Sequence, residues 1–301
     1  MASLTETAAP VAPPPRLMSR GKRPIAGLLV APATIFVALV MIVPVAILAR
    51  YSLNRFEPGR FMVEAVTLAN YIRFFTDPYY TDVLVRTLRV ASITTAICLI
   101  AGFPLAYWLA RMTSRAKTFL VILVVLPLFV GNAVRAAGWM TAFGSKGFFN
   151  ALFIGLGLID QPITIMYTEF AVIIGIIAVN LPFMVLTLQS VIEGIDRPVE
   201  EAALSLGAPP LTAFRRVVLP LAIPGVLAGS ILTFILAMNA YATPVLLGGP
   251  RFQMMGPLVY GQFAQQNNWP FGAAISFILM SVTLTLTLVS NLLVQRRYRG
   301  R

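Results

Sequence analysis

In a chain of 301 residues, 58% are hydrophobic and 11% are charged, where an ordinary soluble domain carries charge on about a quarter of its residues. The formal net charge is +12, but the Lys and Arg residues sit in short groups beside apolar runs rather than along an amphipathic stripe, which favours the positive-inside bias of a membrane protein over a nucleic-acid partner. There is no histidine, and the single cysteine, Cys98, lies inside an apolar run, which excludes imidazole catalysis, a Ser/His/Asp triad, an internal disulfide and a thiolate metal cluster.

Residues 1–24 are rich in Pro and Ala and end on Arg16, Arg20, Lys22 and Arg23, the composition of a flexible basic tail. The run from Ile25 to Ala49 is too long for the apolar part of a secretory signal and lacks its cleavage pattern, so it reads as a retained span. Residues 50–83 mix Arg50, Arg55, Arg60 and Arg73 with Glu57, Glu64, Asp77 and Asp82, and carry turn signals at Pro58, Gly59 and Pro78; they read as an ordered outer segment. Further spans are expected at Leu84–Leu109, Phe119–Phe143, Phe170–Val191, Val217–Tyr241 and Phe271–Val294, while 151–159 is too short and Gly-rich to cross and reads as an interfacial turn or short helix. Trp108 reads as an interfacial anchor.

Six spans put both ends on one side. The first tail, the Arg111/Arg115/Lys117 hinge, the 197–216 loop and the Arg-rich end then share that side, which the charge rule makes cytoplasmic. In the first outer loop, acids balance the arginines. Arg135, inside the third span, is tolerable near the outer interface or against a wet cavity. The expected organisation is a tail over 1–24, the first helix and outer segment over 25–83, a five-helix core over 84–295 that contains a loop at 196–220, and a basic tail at 296–301. Membrane lipids are the surroundings of an all-α integral membrane protein of this kind.

The segment GIDRPVEEAALSLGAPPLTAFRRVVLPLAIPGVLAG, from Gly194 to Gly229, is the most informative. Asp196 and Pro198 signal a helix start, and Glu200 and Glu201 place negative charge in the first turn, where the helix dipole favours it. Val199, Ala202, Ala203 and Leu206 follow helical spacing and give one small apolar face; Gly207 suits the left-handed residue that ends a helix, and Pro209 and Pro210 block its continuation. Small residues let a partner's groove approach the backbone, whereas a helix lying on the membrane surface prefers bulky apolar and basic residues.

Glu201-Ala202-Ala203, Gly207, Phe214, Val217, Leu219 and Pro220 resemble the EAA-loop signature of binding-protein-dependent ABC importer permeases, with Val217 where that family often has Ile. LANYIRFFTDPYY, RTLRVASITTAICLIAGFPLAYWLAR, SKGFFNALFIGLGLI, NLPFMVLTLQSVIEGIDRP and NNWPFGAAISF resemble the first permease subunit of the spermidine/putrescine importer group; together they cover most of residues 65–290. The resemblance implies the type I importer permease fold in a bacterial inner membrane, with residues 196–220 as a coupling helix in a cleft of an ATP-hydrolysing subunit. Glu200, Glu201, Ala202, Ala203, Leu206, Gly207 and Phe214 are the expected coupling residues. It also implies a second homologous permease, two cytosolic ATPase subunits and an extracytoplasmic substrate-binding protein. No GxxxxGK[ST] phosphate loop occurs, so no cofactor is expected on this chain, which is not an enzyme; ATP and Mg²⁺ belong to the ATPase.

For the translocation path, polar residues within spans are the candidates: Asn132, Arg135 and Trp139 in the third, and Asn239, Tyr241 and Thr243 at the end of the fifth. Such groups also serve as bonds between helices. The spans hold no central Asp or Glu, against the pattern of an ion-coupled secondary transporter and against a tight site for a polyamine, so either a polyamine follows a weak polar and aromatic path or the solute is a zwitterionic or anionic amino-acid-like molecule.

Overall fold

The structure, a computed structural model, describes the backbone of residues 23–299 and the side chains of residues 30–292. The amino-terminal basic tail expected at 1–24 therefore lies outside the described residues up to Lys22. Every named element is helical, and the only β pairing among the described residues is an isolated antiparallel bridge between Arg55 and Val63. The chain divides into two compact units between Leu48 and Ala49. The first unit is the body of α1 (Arg23–Ser52), apolar on all sides, as a span surrounded by apolar surroundings should be.

The second unit is built on three long helices: α3 (Pro78–Arg111), α7 (Glu169–Glu193) and α10 (Leu219–Met238). The start of α3 is fixed by Pro78 and by Asp77, whose carboxylate accepts from the Tyr79 N–H at 2.9 Å; Thr168 does the same for α7 by accepting from the Ala171 N–H at 3.2 Å. Lipid offers no hydrophobic drive for helices to associate, so close approach and van der Waals contact must hold them. Gly225 and Gly229 supply it on α10: a Cβ at Gly225 would stand 2.8 Å from the Val191 Cβ of α7, and one at Gly229 2.8 Å from the Met184 Sδ. Cys98, Phe103 and Leu109 of α3 pack with Met184, Leu188 and Ile192 of α7 in one fully or nearly fully buried cluster, and a second cluster at the other end of the bundle joins Phe74, Val90, Ile176, Met238 and Phe271.

Among the described residues five helices are long and apolar enough to cross a membrane, and the expected third span differs from them. It is broken: α4 (Ala116–Val125) runs into a single 3-10 turn, Leu126–Phe129, and the segment Asn132–Gly155, which opens with α5 (Asn132–Phe143), leaves at 96°. Pro127 lacks the N–H that would continue the helix, Val130 is extended, and Gly131 precedes α5 with no side-chain cap. The count is six only if this bent pair is one crossing. The short helix foreseen near 151–159 is α6 (Phe148–Gly155).

Other boundaries shift as well. The second span begins at Pro78 rather than Leu84. The fifth is one apolar stretch over Pro210–Met238, made of α9 (Pro210–Ala213), a π turn at Phe214–Val218 and α10. The last helix, α13, runs over Trp269–Arg299, so Arg296 to Arg299 belong to a helix and not to a tail. Segment 50–83 is ordered, as expected, but acids are not what holds its arginines. Arg50 donates to the Ala65 carbonyl at 2.9 Å, and Arg73, on α2 (Ala69–Thr76), lies 4.6 Å over the Phe271 ring and donates to the Tyr80 hydroxyl at 3.1 Å. Asn70 ties the segment back by donating to the carbonyls of Ser52 and Asn54 at 2.8 and 2.9 Å.

Candidate functional site

The expected short helix is α8 (Arg197–Ser205). Asp196 occupies its N-cap position without a side-chain bond, and Pro198 lies in its first turn. Its end is a Schellman turn: Gly207 has φ +85°, its N–H donates to the Leu204 carbonyl at 3.0 Å, and the Ala208 N–H donates to the Ala203 carbonyl at 3.1 Å. A Cβ at Gly207 would meet nothing within 4 Å, so the glycine is required by its backbone angle and not by crowding.

The two glutamates of α8 point to different surroundings. Glu200 is half-buried; it forms an ion pair with Arg111 at 3.0 Å and accepts a hydrogen bond from the Tyr107 hydroxyl. Arg111 also donates to the Ile195 carbonyl at 3.1 Å, and Arg197 donates to the Arg111 carbonyl at 2.8 Å. Phe214 stands edge-on to Phe103 and Tyr107, with ring centres 5.6 and 5.3 Å away. Glu200 and Phe214 thus tie the loop to α3. Glu201, Ala202, Gly207 and Leu206 face outward, with Leu206 89% exposed, and Ala203 is half-buried. Of the apolar face predicted by periodicity, Val199, Ala202 and Leu206 are exposed.

Of the six expected path residues, five meet. Asn132, Arg135, Asn239, Tyr241 and Thr243 line one cavity of about 690 Å³ between α5, α7 and the α10–α11 junction, with α11 at Ala242–Gly248. The break in the third span lets α5 pack on α11, so that the first turn of α5 shares the cavity with the end of α10. Trp139 is the exception. It is half-buried, stacks on Phe143 and Phe149 with ring centres 5.0 and 6.3 Å away, and packs against the buried core. Asn132 and Trp139 are seven residues apart and so lie on one side of α5, but they stand about 10 Å apart along its axis, which carries Trp139 past the cavity.

Asn180 and Phe183, not foreseen as path residues, line the same cavity. Asn180 is 1% exposed and donates to the Thr233 carbonyl at 3.4 Å. An Asn two residues before Pro182 in an apolar run was the available signal. A neighbouring cavity of about 680 Å³ shares Asn239 and Tyr241 and adds Tyr260, Ser276, Thr283 and Thr287; Tyr260 closes α12 (Met255–Tyr260), and its ring lies 4.7 Å from that of Tyr241. Ser276, Thr283 and Thr287 share one face of α13, a polar stripe at helical spacing that hydropathy alone hides. Each hydroxyl donates to the carbonyl four residues earlier, at 2.8, 2.7 and 2.8 Å, so toward the cavity these oxygens offer lone pairs.

Residues 87–299 match the family described as the binding-protein-dependent transport system inner membrane component, and the chain belongs to that family. It is therefore a transport permease of the inner membrane, built of several apolar helices. Over 263 residues it is 37% identical to the spermidine/putrescine transport system permease protein PotB of Escherichia coli (strain K12), covering 87% of this chain and 91% of that one. PotB of Haemophilus influenzae is 36% identical over 261 residues, covering 86% and 91%. Among solved structures, a bacterial ABC transporter involved in the import of the acidic polysaccharide alginate shares the fold with a TM-score of 0.71 at 17% identity, covering 90% of this chain and 95% of that one. A bacterial alginate ABC transporter in complex with a periplasmic protein that holds an alginate pentasaccharide gives 0.75 at 16%, covering 90% and 94%.

Proposed function

We propose that this chain and a second homologous permease form the membrane path of an importer for polyamine-like cations, fed by an extracytoplasmic substrate-binding protein and driven by two cytosolic ATPase subunits that hold ATP and Mg²⁺. The observation that carries the reading is the 37% identity to a spermidine/putrescine permease over 87% of the chain, a stretch long enough to include both α8 and the cavities. The chemistry of the second cavity agrees with it. An ammonium is all donor, and a wall of acceptor hydroxyls beside two tyrosine rings suits its passage. With no carboxylate among the described residues of either cavity wall the hold is weak, as a path that must release its cargo requires.

In this reading α8 is the coupling helix of the loop over residues 196–220, and both chain ends are cytoplasmic. Glu201, Ala202, Ala203 and Leu206 contact the ATPase. Glu200, Gly207 and Phe214 transmit its movement: the Arg111–Glu200 pair and the Phe214 contacts join α8 to α3, and the helix that begins at Pro210 runs on to Asn239 at the cavity. A rigid loop tied at these points moves the cavity wall with it. Site-specific labelling tests the arrangement. A cysteine at position 205 should react only from the cytosolic side and crosslink to the ATPase, and one at position 65 should react from the opposite side. Labelling of position 205 from outside would overturn it.

A second reading, a zwitterionic or anionic amino-acid-like solute, is favoured by one observation: among the described residues, Arg135 is the only charged one in the wall of the first cavity. Competition for uptake between spermidine and glutamate separates the two.

A further inference from the structure

The guanidinium of Arg135 is short of partners. Its Nη2 donates to the Asn132 side chain, but Nε and Nη1 are out of contact with water and have no hydrogen-bond acceptor among the described residues. Among the described residues no Asp or Glu lines the cavity it faces, and the other wall residues are Asn180, Asn239, Tyr241, Thr243 and apolar side chains. A guanidinium does not escape its charge by losing a proton, so a buried one must find an anion or remain strongly destabilising. An uncompensated positive charge on the path would also oppose the entry of a cation.

We propose that Arg135 forms an ion pair with a carboxylate supplied by the second permease subunit, so that the neutral wall of this cavity exists only in the assembled pair. The inference rests on the importer reading above. A fixed carboxylate fits better than a solute carboxylate, because Arg135 must be compensated in the resting transporter as well as during transport. It also reconciles Arg135 with a cationic cargo: once paired, the group no longer opposes an ammonium, and the specific preference for an anionic solute disappears.

The test uses the whole transporter, this chain with the second permease, the ATPase subunits and the binding protein, in nanodiscs and proteoliposomes. Arg135→Glu should lower spermidine uptake about tenfold or more, since it sets two acids face to face. Changing each Asp and Glu in the membrane segments of the second permease to Arg, one at a time on the Arg135→Glu background, should reveal one reversal that returns uptake to within about twofold of the parent, the signature of a coupled pair. Arg135→Lys, which keeps the charge, should retain more uptake than Arg135→Met. Rescue by no reversal, a defect confined to membranes that lack anionic lipid, or glutamate stabilising the parent but not Arg135→Met would each overturn the proposal. If the parent chain retains no second permease at all, the importer reading falls with it; if it does and imports spermidine while Arg135→Glu matches it, only this inference falls.

Discussion

Glu200 and Arg111 meet at 3.0 Å, one on the short helix α8 and the other at the last residue of the long helix α3. Their side chains are only 17% and 16% exposed, so the pair is screened less than a surface salt bridge, and Tyr107 adds a hydrogen bond to the same carboxylate. The pair fastens the loop to the bundle. Burial and the hydrogen bond to Glu200 raise the Tyr107–Glu200 contact above decoration, since a carboxylate stripped of either partner here is left half out of water.

The neighbouring glutamates should therefore fail in different ways. Glu200→Ala should destabilise the loop by about 1–3 kcal/mol, read as a lower melting temperature and faster proteolysis near residue 205. Glu201→Arg should leave both unchanged, because Glu201 is exposed with no ion pair or hydrogen bond among the described residues, yet lower the amount of ATPase that copurifies. Equal melting for parent and Glu200→Ala would contradict the tether.

Gly207 sits at φ +85° in open space. Gly207→Ala should cost about 1–2 kcal/mol from backbone strain alone, and Gly207→Asn less, since Asn tolerates the left-handed region. Thermal melting of the purified variants ranks them; Ala equal to Gly would remove the Schellman turn from the account.

The helix contact makes a sharper comparison. Alanine at Gly225 meets the branched Val191 Cβ, which cannot swing away, whereas alanine at Gly229 meets the flexible thioether end of Met184. Gly225→Ala should lower stability by about 1–3 kcal/mol and Gly229→Ala by clearly less. The reverse order, measured by denaturation in detergent, would show that α7 and α10 do not approach as described.

Trp139 and Asn239 separate packing from transport. Trp139→Ala removes a ring stacked on Phe143 and should lower the melting temperature with a loss of about 3 kcal/mol. Asn239→Leu, at the wall shared by both cavities, should leave melting within about 0.5 kcal/mol and reduce uptake severalfold. An uptake defect that tracks melting in both variants would deny Asn239 a place on the path.

What could be read from residues alone follows physical lines. The α8 start, its apolar face and its Gly207 stop are local properties, and local chemistry decided them. Spans were visible because apolar length is a one-dimensional signal. The break after Pro127 was written in the sequence too, but a proline inside an apolar run is often absorbed by a membrane helix, so the bend depended on what packs around it. The division of labour between Glu200 and Glu201 was not legible. It depends on Arg111 and Tyr107, distant in sequence, arriving under one side of α8. Likewise the polar residues of the third and fifth spans were recognisable as a set, while the cavity that leaves out Trp139 and admits Asn180 is a consequence of how α5, α7 and α11 pack together.

The central claim is that this permease passes a polyamine-like cation under control of α8. ATP-dependent uptake of labelled spermidine into proteoliposomes, with the cognate binding protein, tests it most directly when the parent is compared with Glu201→Arg. The account predicts spermidine uptake by the parent that excess putrescine suppresses and glutamate does not, and loss of that uptake in the variant although the permease pair stays assembled. Uptake of glutamate but not spermidine, or full spermidine uptake by Glu201→Arg, would contradict it.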